Sequence, residues 1–572
     1  MNQKPTIDQQ MPIHPWYRQF FRRSSLISLT LGVFAATATA FPLQAAEKIF
    51  FVFTPLNMSL QIKSLELFAK DGTIDKDLGF YMNLTGANKQ EIAEFREALN
   101  KRVEVNPVLL SRVLNTEIGE DLLNRIGRTL NIQGGSNGEY AIRAALVQAA
   151  FEPGGLTLLN FFEKLPVNMQ INLERALKVA RAIEVTVQGT EYATQVIKNL
   201  SAQEAAANPP VDFANLPDLR QLGNSGIQHQ RWNLTDASRG RSFYVEVYYP
   251  QQWRSGKTPV VIISHGLSSR PEDYANRAKH LASHGYFVAL PQHIGSDIKR
   301  TEAFLAGFFG EPFDRNEFID RPRDISFVID ELERRNPTEF SSRLDLNNVG
   351  VYGHSFGGYG AMAVAGATID FKYLQQQCNL DYPRPNTSLL LQCRALKLDQ
   401  KEYNFRDKRV TAVIGANPVN RAIFGPEGLG KITIPTLIAG GNYDPATPFV
   451  FEQLVSFPWL QTPNKYLLMM EGQAHVDFSQ LDAGITNTIE SIGDLTLPSP
   501  DLLEDYSNAM SLAFFEVYIA NNPKYRIYLQ PSYFNYLSQG QAFKAYLITG
   551  SSALTLKQIT EEFKEQNGLV SN

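Results

Sequence analysis

Beyond residue 240 the chain alternates short apolar runs with amphipathic or small-residue stretches. Phe243–Tyr249 is aromatic and β-branched, and Val260–Ser264 is a continuous apolar run. Tyr286–Leu290, Val349–Tyr352, Val410–Ile414, Thr436–Ala439 and Tyr466–Met470 repeat the pattern. Unbroken apolar runs of this length suit strands buried on both faces. A helical pattern fills the interval from about Pro271 to His284. Strands alternating with helices predict an α/β fold, a mostly parallel sheet covered by helices on both faces.

The first part of the chain has a different rhythm. Ile49, Phe51 and Phe53, then Met58, Leu60 and Ile62, alternate with less apolar neighbours. This predicts two short strands around a turn at Pro55. The rest of this part reads as helical. Ile92, Phe95 and Leu99 share a face, and Asn106-Pro107 has the form of an N-cap followed by proline at the first helical position. Gly134–Gly138 reads as a loop, and amphipathic segments cover roughly 139–151, 155–164 and 172–200. The small-residue and proline stretch Ala205–Pro210 predicts a linker. The expected division is a targeting segment over 1–46, a mainly helical domain over 47–200, a linker over 201–215 and an α/β domain over 216–572. That last domain carries insertions near 296–320 and 368–407 and a helical C-terminal tail. The helical domain has neither histidine nor cysteine, and reads as a cap or interaction module.

Residues 1–46 carry Arg22-Arg23, an apolar run from Leu26 to Phe41, and small residues at Ala45 and Ala46. This is the form of an export signal, by either the Sec or the twin-arginine route, or of an anchor if it is not cleaved. Outside the cytoplasm the two cysteines, Cys378 and Cys393, can pair. Closing that loop would stabilise by about 3 kcal/mol; two unpaired thiols are the alternative. A formal charge of −4 over 572 residues, with no basic patch and no zinc-ligand spacing, gives no support for a nucleic-acid partner, a metal or another cofactor.

The chemistry lies where one buried strand ends. Val349–Tyr352 runs into Gly353-His354-Ser355-Phe356-Gly357, followed by a small-residue helical pattern. This is the strand–turn–helix context of a nucleophile elbow, with Ser355 exposed at its tip. A serine hydroxyl needs a base, and the order in this fold is serine, acid, histidine. Only one of the eight histidines lies downstream, His475, just after the last apolar run. Among the carboxylates between them, Asp444 directly follows the Thr436–Ala439 run, whereas Asp399 and Asp407 sit in charged stretches. Asp444 can hold the second nitrogen of the imidazole. The expected oxyanion donors are the backbone N–H groups of Phe356 and of Leu267, in the loop after Val260–Ser264.

Ser264-His265-Gly266-Leu267, Leu281–Tyr286, Gly353–Gly358, Asp444 and His475 together resemble the α/β-hydrolases of the platelet-activating-factor acetylhydrolase and dienelactone-hydrolase-like group, with secreted bacterial polyester hydrolases nearby. The likeness covers about 240–480. It implies an α/β-hydrolase fold and carboxylic ester hydrolysis. The helical domain, from Ala45-Ala46-Glu47-Lys48 onward, resembles a domain of unknown function that precedes such hydrolases in exported cyanobacterial proteins.

Loops at the C-terminal ends of the strands hold ligands in such sheets. Phe304, Phe308, Phe309 and Phe313 in the first insertion, and Leu389–Leu391 between the cysteines of the second, are therefore expected either to roof an acyl pocket or to fill core under the insertions. The expected partner is a small-molecule or lipid ester, which leaves room for peripheral membrane contact. Rival readings are a serine peptidase on the same fold and a non-catalytic scaffold. The helical, non-repeating first part disfavours the peptidase, and the intact serine, acid and histidine disfavour the scaffold.

Overall fold

The computed structural model describes residues 46–53, 56–379, 386–475 and 497–567. Most of the expected targeting segment (1–45), the expected turn at Pro55 and residues 380–385 of the second insertion lie outside them.

The first domain begins with β1 (Lys48–Phe53) and β2 (Leu56–Gln61), paired antiparallel as the alternation predicts. Two further strands, β3 (Leu130–Ile132) and β4 (Met169–Asn172), complete a sheet of order β2-β1-β4-β3. Both are too short for a period of two to stand out inside helical surroundings. The Asn106 side chain accepts from the amides of Val108 and Leu109 and starts helix Pro107–Leu114. Helix Glu117–Gly127 follows, and its Ile118 packs against the core of the second domain.

The linker expectation needs correction. Helix Leu173–Ala207 runs through 200 and stops only where Asn208 turns extended. Alanines favour continuation, and the residue before Pro209 disfavours it. Ala193, Val196, Ile197 and Leu200 of this helix belong to the main hydrophobic core together with Trp232 and Phe287. The helix is therefore shared between the two parts rather than lying before a flexible joint.

The second domain is a nine-stranded sheet of order β13-β12-β11-β10-β9-β7-β8-β6-β5. Its strands are β5 (Ile227–Asp236), β6 (Arg241–Pro250), β7 (Thr258–Ser264), β8 (Phe287–Pro291), β9 (Leu344–His354), β10 (Val410–Ala416), β11 (Thr436–Gly441), β12 (Lys465–Met470) and β13 (Ala545–Thr549). The six strands from β12 to β8 run parallel, and β6, β5 and β13 are antiparallel additions. All residues of β7 and β8 are buried. Helix Glu317–Glu339 packs on one face, and helix Pro500–Tyr518, buried almost all round, on the other. This is an α/β-hydrolase fold. The tail is not purely helical, since β13 closes one edge of the sheet. In the second insertion, Cys378 and Cys393 form a disulfide. The fully buried Glu452 fastens the same segment by accepting from Asn386, Ser388 and Gln392 and from the amides of Asn420 and Arg421.

Candidate active site

Ser355 sits between β9 and helix Phe356–Ala365 with φ 56° and ψ −118°, a backbone state that side-chain-bearing residues rarely adopt. Packing enforces it. A Cβ on Gly353 would come within 2.1 Å of the Gly357 carbonyl oxygen, and one on Gly357 within 2.1 Å of that of Ser264. Only glycines let the turn close this tightly.

The structure brings Ser355, His475 and Asp444 into one line. The Ser355 hydroxyl lies 2.7 Å from His475 Nε2, and His475 Nδ1 lies 2.8 Å from Asp444 Oδ2. Asp444 is fully enclosed and held at both oxygens. Oδ1 accepts from the amides of Ala446 (2.8 Å) and Thr447 (2.9 Å). Oδ2 also accepts from Asn417 Nδ2 (2.6 Å) and the Thr447 hydroxyl (2.7 Å). Burial alone would push this carboxyl up, but His475 and the Thr447 donors outweigh it and hold it down at about 2. Asp444 is thus an anion built to accept, and it fixes His475 with Nδ1 protonated and Nε2 free to take the serine proton.

His354 braces the histidine loop. Its Nε2 lies 3.0 Å from the His475 carbonyl oxygen and its Nδ1 2.8 Å from the Tyr274 hydroxyl. Desolvation, then the neighbouring His475, lowers its pKa to about 3. It is therefore neutral, donating from Nε2 to the carbonyl and accepting at Nδ1 from Tyr274.

Leu267 and Phe356 stand where oxyanion donors are expected. Among the described residues neither amide donates to a protein acceptor. A Cβ placed on Gly266 would lie 3.4 Å from the Ser355 Cβ, so the Leu267 loop approaches the nucleophile closely. Behind it lies a buried polar cluster that sequence reasoning missed. Arg321, Glu317, Asp324, His265, His293 and Ser264 are buried there, joined by Arg241. Within it Ser264 Oγ lies 2.9 Å from His293 Nε2, and His293 Nδ1 2.9 Å from Asp324 Oδ2. Burial, then Arg321, holds His293 well below its ordinary pKa.

The four phenylalanines do not form one wall. Phe304 and Phe313 are buried, and Phe313 packs against Phe318 and Phe356, with ring centroids 6.4 and 6.1 Å apart. Phe308 is 81% exposed, and Phe309 lies under the Arg300 guanidinium. Of the leucines, Leu389 is core. A cleft of about 640 Å³ lined by Ile369, Phe371, Lys372, Lys401 and Lys431 contains none of Ser355, Asp444 and His475. Gly425–Lys431 has the Gly-x-x-x-x-Gly-Lys spacing of a phosphate loop, but Ile432 follows, and its first glycine sits at a kink between two helical turns (φ 58°) rather than between strand and helix.

The first domain reaches both insertions. Arg112 donates to the Leu305 carbonyl, and the Glu117 amide to Glu311 Oε1 (2.9 Å). Arg394 donates to the Glu117 carbonyl (3.0 Å) and to Asp121 (3.1 Å), and Lys397 pairs with Glu117 at 2.7 Å. Helix Leu173–Ala207 meets the loops that carry the acid and the histidine, through Thr194 with Asn442 (3.2 Å) and through the pair Lys198–Glu471.

Comparison with known proteins agrees with this architecture. Residues 45–172 match the family model described as "Alpha/beta hydrolase of unknown function (DUF1400)", and residues 245–378 match the chlorophyllase family model. The second match contains Ser355 but ends before Asp444 and His475. A cutinase from Thermobifida fusca (strain YX) is 24% identical over 200 residues, which is 35% of this chain and 60% of that protein. The chain thus matches less than two thirds of the length of that relative. With the sheet, these similarities support an α/β-hydrolase of esterase type.

Proposed function

We propose that the protein is an exported serine hydrolase that cleaves carboxylic esters, lipophilic acyl esters above all, through an acyl-enzyme. The reading rests on the line from Ser355 Oγ through His475 to Asp444, held at 2.7 and 2.8 Å on a strained elbow. His475 Nε2 takes the hydroxyl proton as Ser355 Oγ attacks the ester carbonyl carbon. The amides of Leu267 and Phe356 receive the oxyanion. The C–O bond then breaks, and His475 gives its proton to the departing alcohol. Water repeats the sequence on the acyl-serine and releases the acid. Asp444 keeps the imidazole oriented and stabilises its charged form. The likeness to a chlorophyllase model and to a cutinase supports an ester with an apolar part, and the arginine-and-apolar segment before Ala46 supports export.

The test is covalent labelling with a fluorophosphonate, with turnover of p-nitrophenyl esters compared against aminoacyl nitroanilides. Labelling at Ser355 and ester turnover, both lost in Ser355→Ala, are expected. Preference for the anilides would make the protein a peptidase, and folded protein that takes no label would make it a scaffold.

A further inference from the structure

Arg321 is fully buried behind the loop that carries Leu267. Its Nη1 donates to the His265 carbonyl, and its Nη2 donates to the Gly266 carbonyl at 3.1 Å. His265 adds a second grip. Its Nε2 accepts from the His293 amide at 3.0 Å, which leaves the proton on Nδ1, and that N–H donates to the Gly266 carbonyl at 2.8 Å. The Gly266 carbonyl belongs to the same peptide group as the Leu267 N–H. In a trans peptide the two point in opposite directions. Drawing the carbonyl inward therefore turns the Leu267 N–H outward. The same guanidinium lies 4.5 Å from the centre of the Phe356 ring, so it touches the residue that carries the other free amide. Ser296 Oγ fixes its position by accepting from Nε (2.9 Å) and Nη2 (2.7 Å).

The geometry points to Arg321 as a positioning residue for the oxyanion hole, one that aims the Leu267 amide through the Gly266 carbonyl. This inference rests on the ester-hydrolase reading above. Arg321 touches neither substrate nor Ser355. It holds the donor in the orientation the transition state needs, so that nothing has to reorganise when charge develops. Glu317, beside it at 3.4 Å, offsets its charge.

The test uses the full chain carrying Arg321→Lys, which keeps the charge and loses the fork, and Ser296→Ala, a milder change that removes the acceptor of Nε and Nη2 and, with it, a donor to Glu317. For each, kcat and KM on a p-nitrophenyl ester are measured together with the melting temperature and the Ki of a trifluoromethyl ketone. The ketone adds Ser355 Oγ to its carbonyl and presents an oxyanion. Complete loss of one oxyanion donor costs about 100- to 1,000-fold in kcat. A misaimed donor in Arg321→Lys is expected to cost about 10- to 100-fold, with KM unchanged, the pH profile unmoved and Ki raised in proportion to the loss of kcat/KM. Ser296→Ala is expected to follow the same line with a smaller displacement. Ketone affinity unchanged in folded Arg321→Lys would overturn the inference, leaving Arg321 a structural strut. If Arg321→Lys does not fold, unchanged ketone affinity in Ser296→Ala overturns it equally. Failure of the hydrolase reading looks different, because the unmodified protein would then turn over no ester.

Discussion

Replacing Asp444 by asparagine separates charge from shape, and the hydrogen bonds around it say which way the new amide will face. On the Oδ1 side stand two backbone N–H groups, from Ala446 and Thr447. They cannot change what they offer. An amide NH₂ placed there would oppose two donors, at about 1–3 kcal/mol for each buried bond left unmade. On the Oδ2 side all three partners can adapt. The Thr447 hydroxyl can turn to the Asn417 carbonyl, 3.2 Å away. Asn417 can rotate its amide, because its own Oδ1 is buried without a partner. His475 can exchange tautomers. The NH₂ group will therefore face His475, which must then accept at Nδ1 and carry its proton on Nε2, against Ser355. The base is lost although every atom stays near its place. A fall in kcat of about 10⁴ is expected, with KM little changed, as wrong-tautomer variants of such triads show. Stability should fall far less, by about 2–3 kcal/mol at neutral pH, the worth of holding a carboxyl at about 2 rather than near 4. Steady-state kinetics on an ester, with a melting curve on the same preparation, decides it. A rate within tenfold of the unmodified protein would refute the reasoning and send the search for the acid elsewhere.

Phe313→Ala should cost about 3–5 kcal/mol of stability and slow all esters alike, because the ring fills core against Phe356 and Phe318. Phe308→Ala, at an exposed tip, should leave melting unchanged, and the two melting temperatures measured side by side would expose an error in either placement. Acid should destabilise the protein before its carboxylates titrate. Desolvation, with His284 nearby, lowers His280 to about 4, and desolvation, with His475 nearby, lowers His354 to about 3. Below about 6.5 the unfolded chain binds these two protons and the folded protein does not, so stability falls with pH by about 1.4 kcal/mol per unit for each histidine. Melting temperatures that stay level from pH 7 to pH 5 would contradict this.

The elbow was legible in the sequence because a turn of that tightness has few solutions, with glycine on both flanks and a buried strand before it. His475 was legible because nothing downstream competes with it. Asp444 was legible from its place at a strand end. β5 and β13 were not legible, since both lie at sheet edges, one polar along its outer face and one only five residues long. The shared helix was missed because alanines followed by proline read equally as a linker or as the last turn of a helix. The different placements of the four phenylalanines were not legible for another reason. Phenylalanine content says that a segment is apolar, but not whether it faces a ligand, the core or solvent. Arg321 and its partners were invisible because the cluster draws on residues from 241 to 324 that form no local motif.

The line from Ser264 through His293 to Asp324 bears on how a mutational screen of this protein would read. It repeats the residue types and hydrogen-bond order of Ser355, His475 and Asp444, yet all three of its members are sealed from solvent. Ser264 also closes the strand that leads into the Leu267 loop. Alanine at any of the three would disturb that loop and depress turnover, so a screen scored on activity alone would rank two serines, two histidines and two aspartates together. Reagents that must arrive from solvent would meet Ser355 and not Ser264. For this protein, chemical reactivity and genetic sensitivity would draw two different maps, and the difference between them would outline the scaffold behind the catalyst.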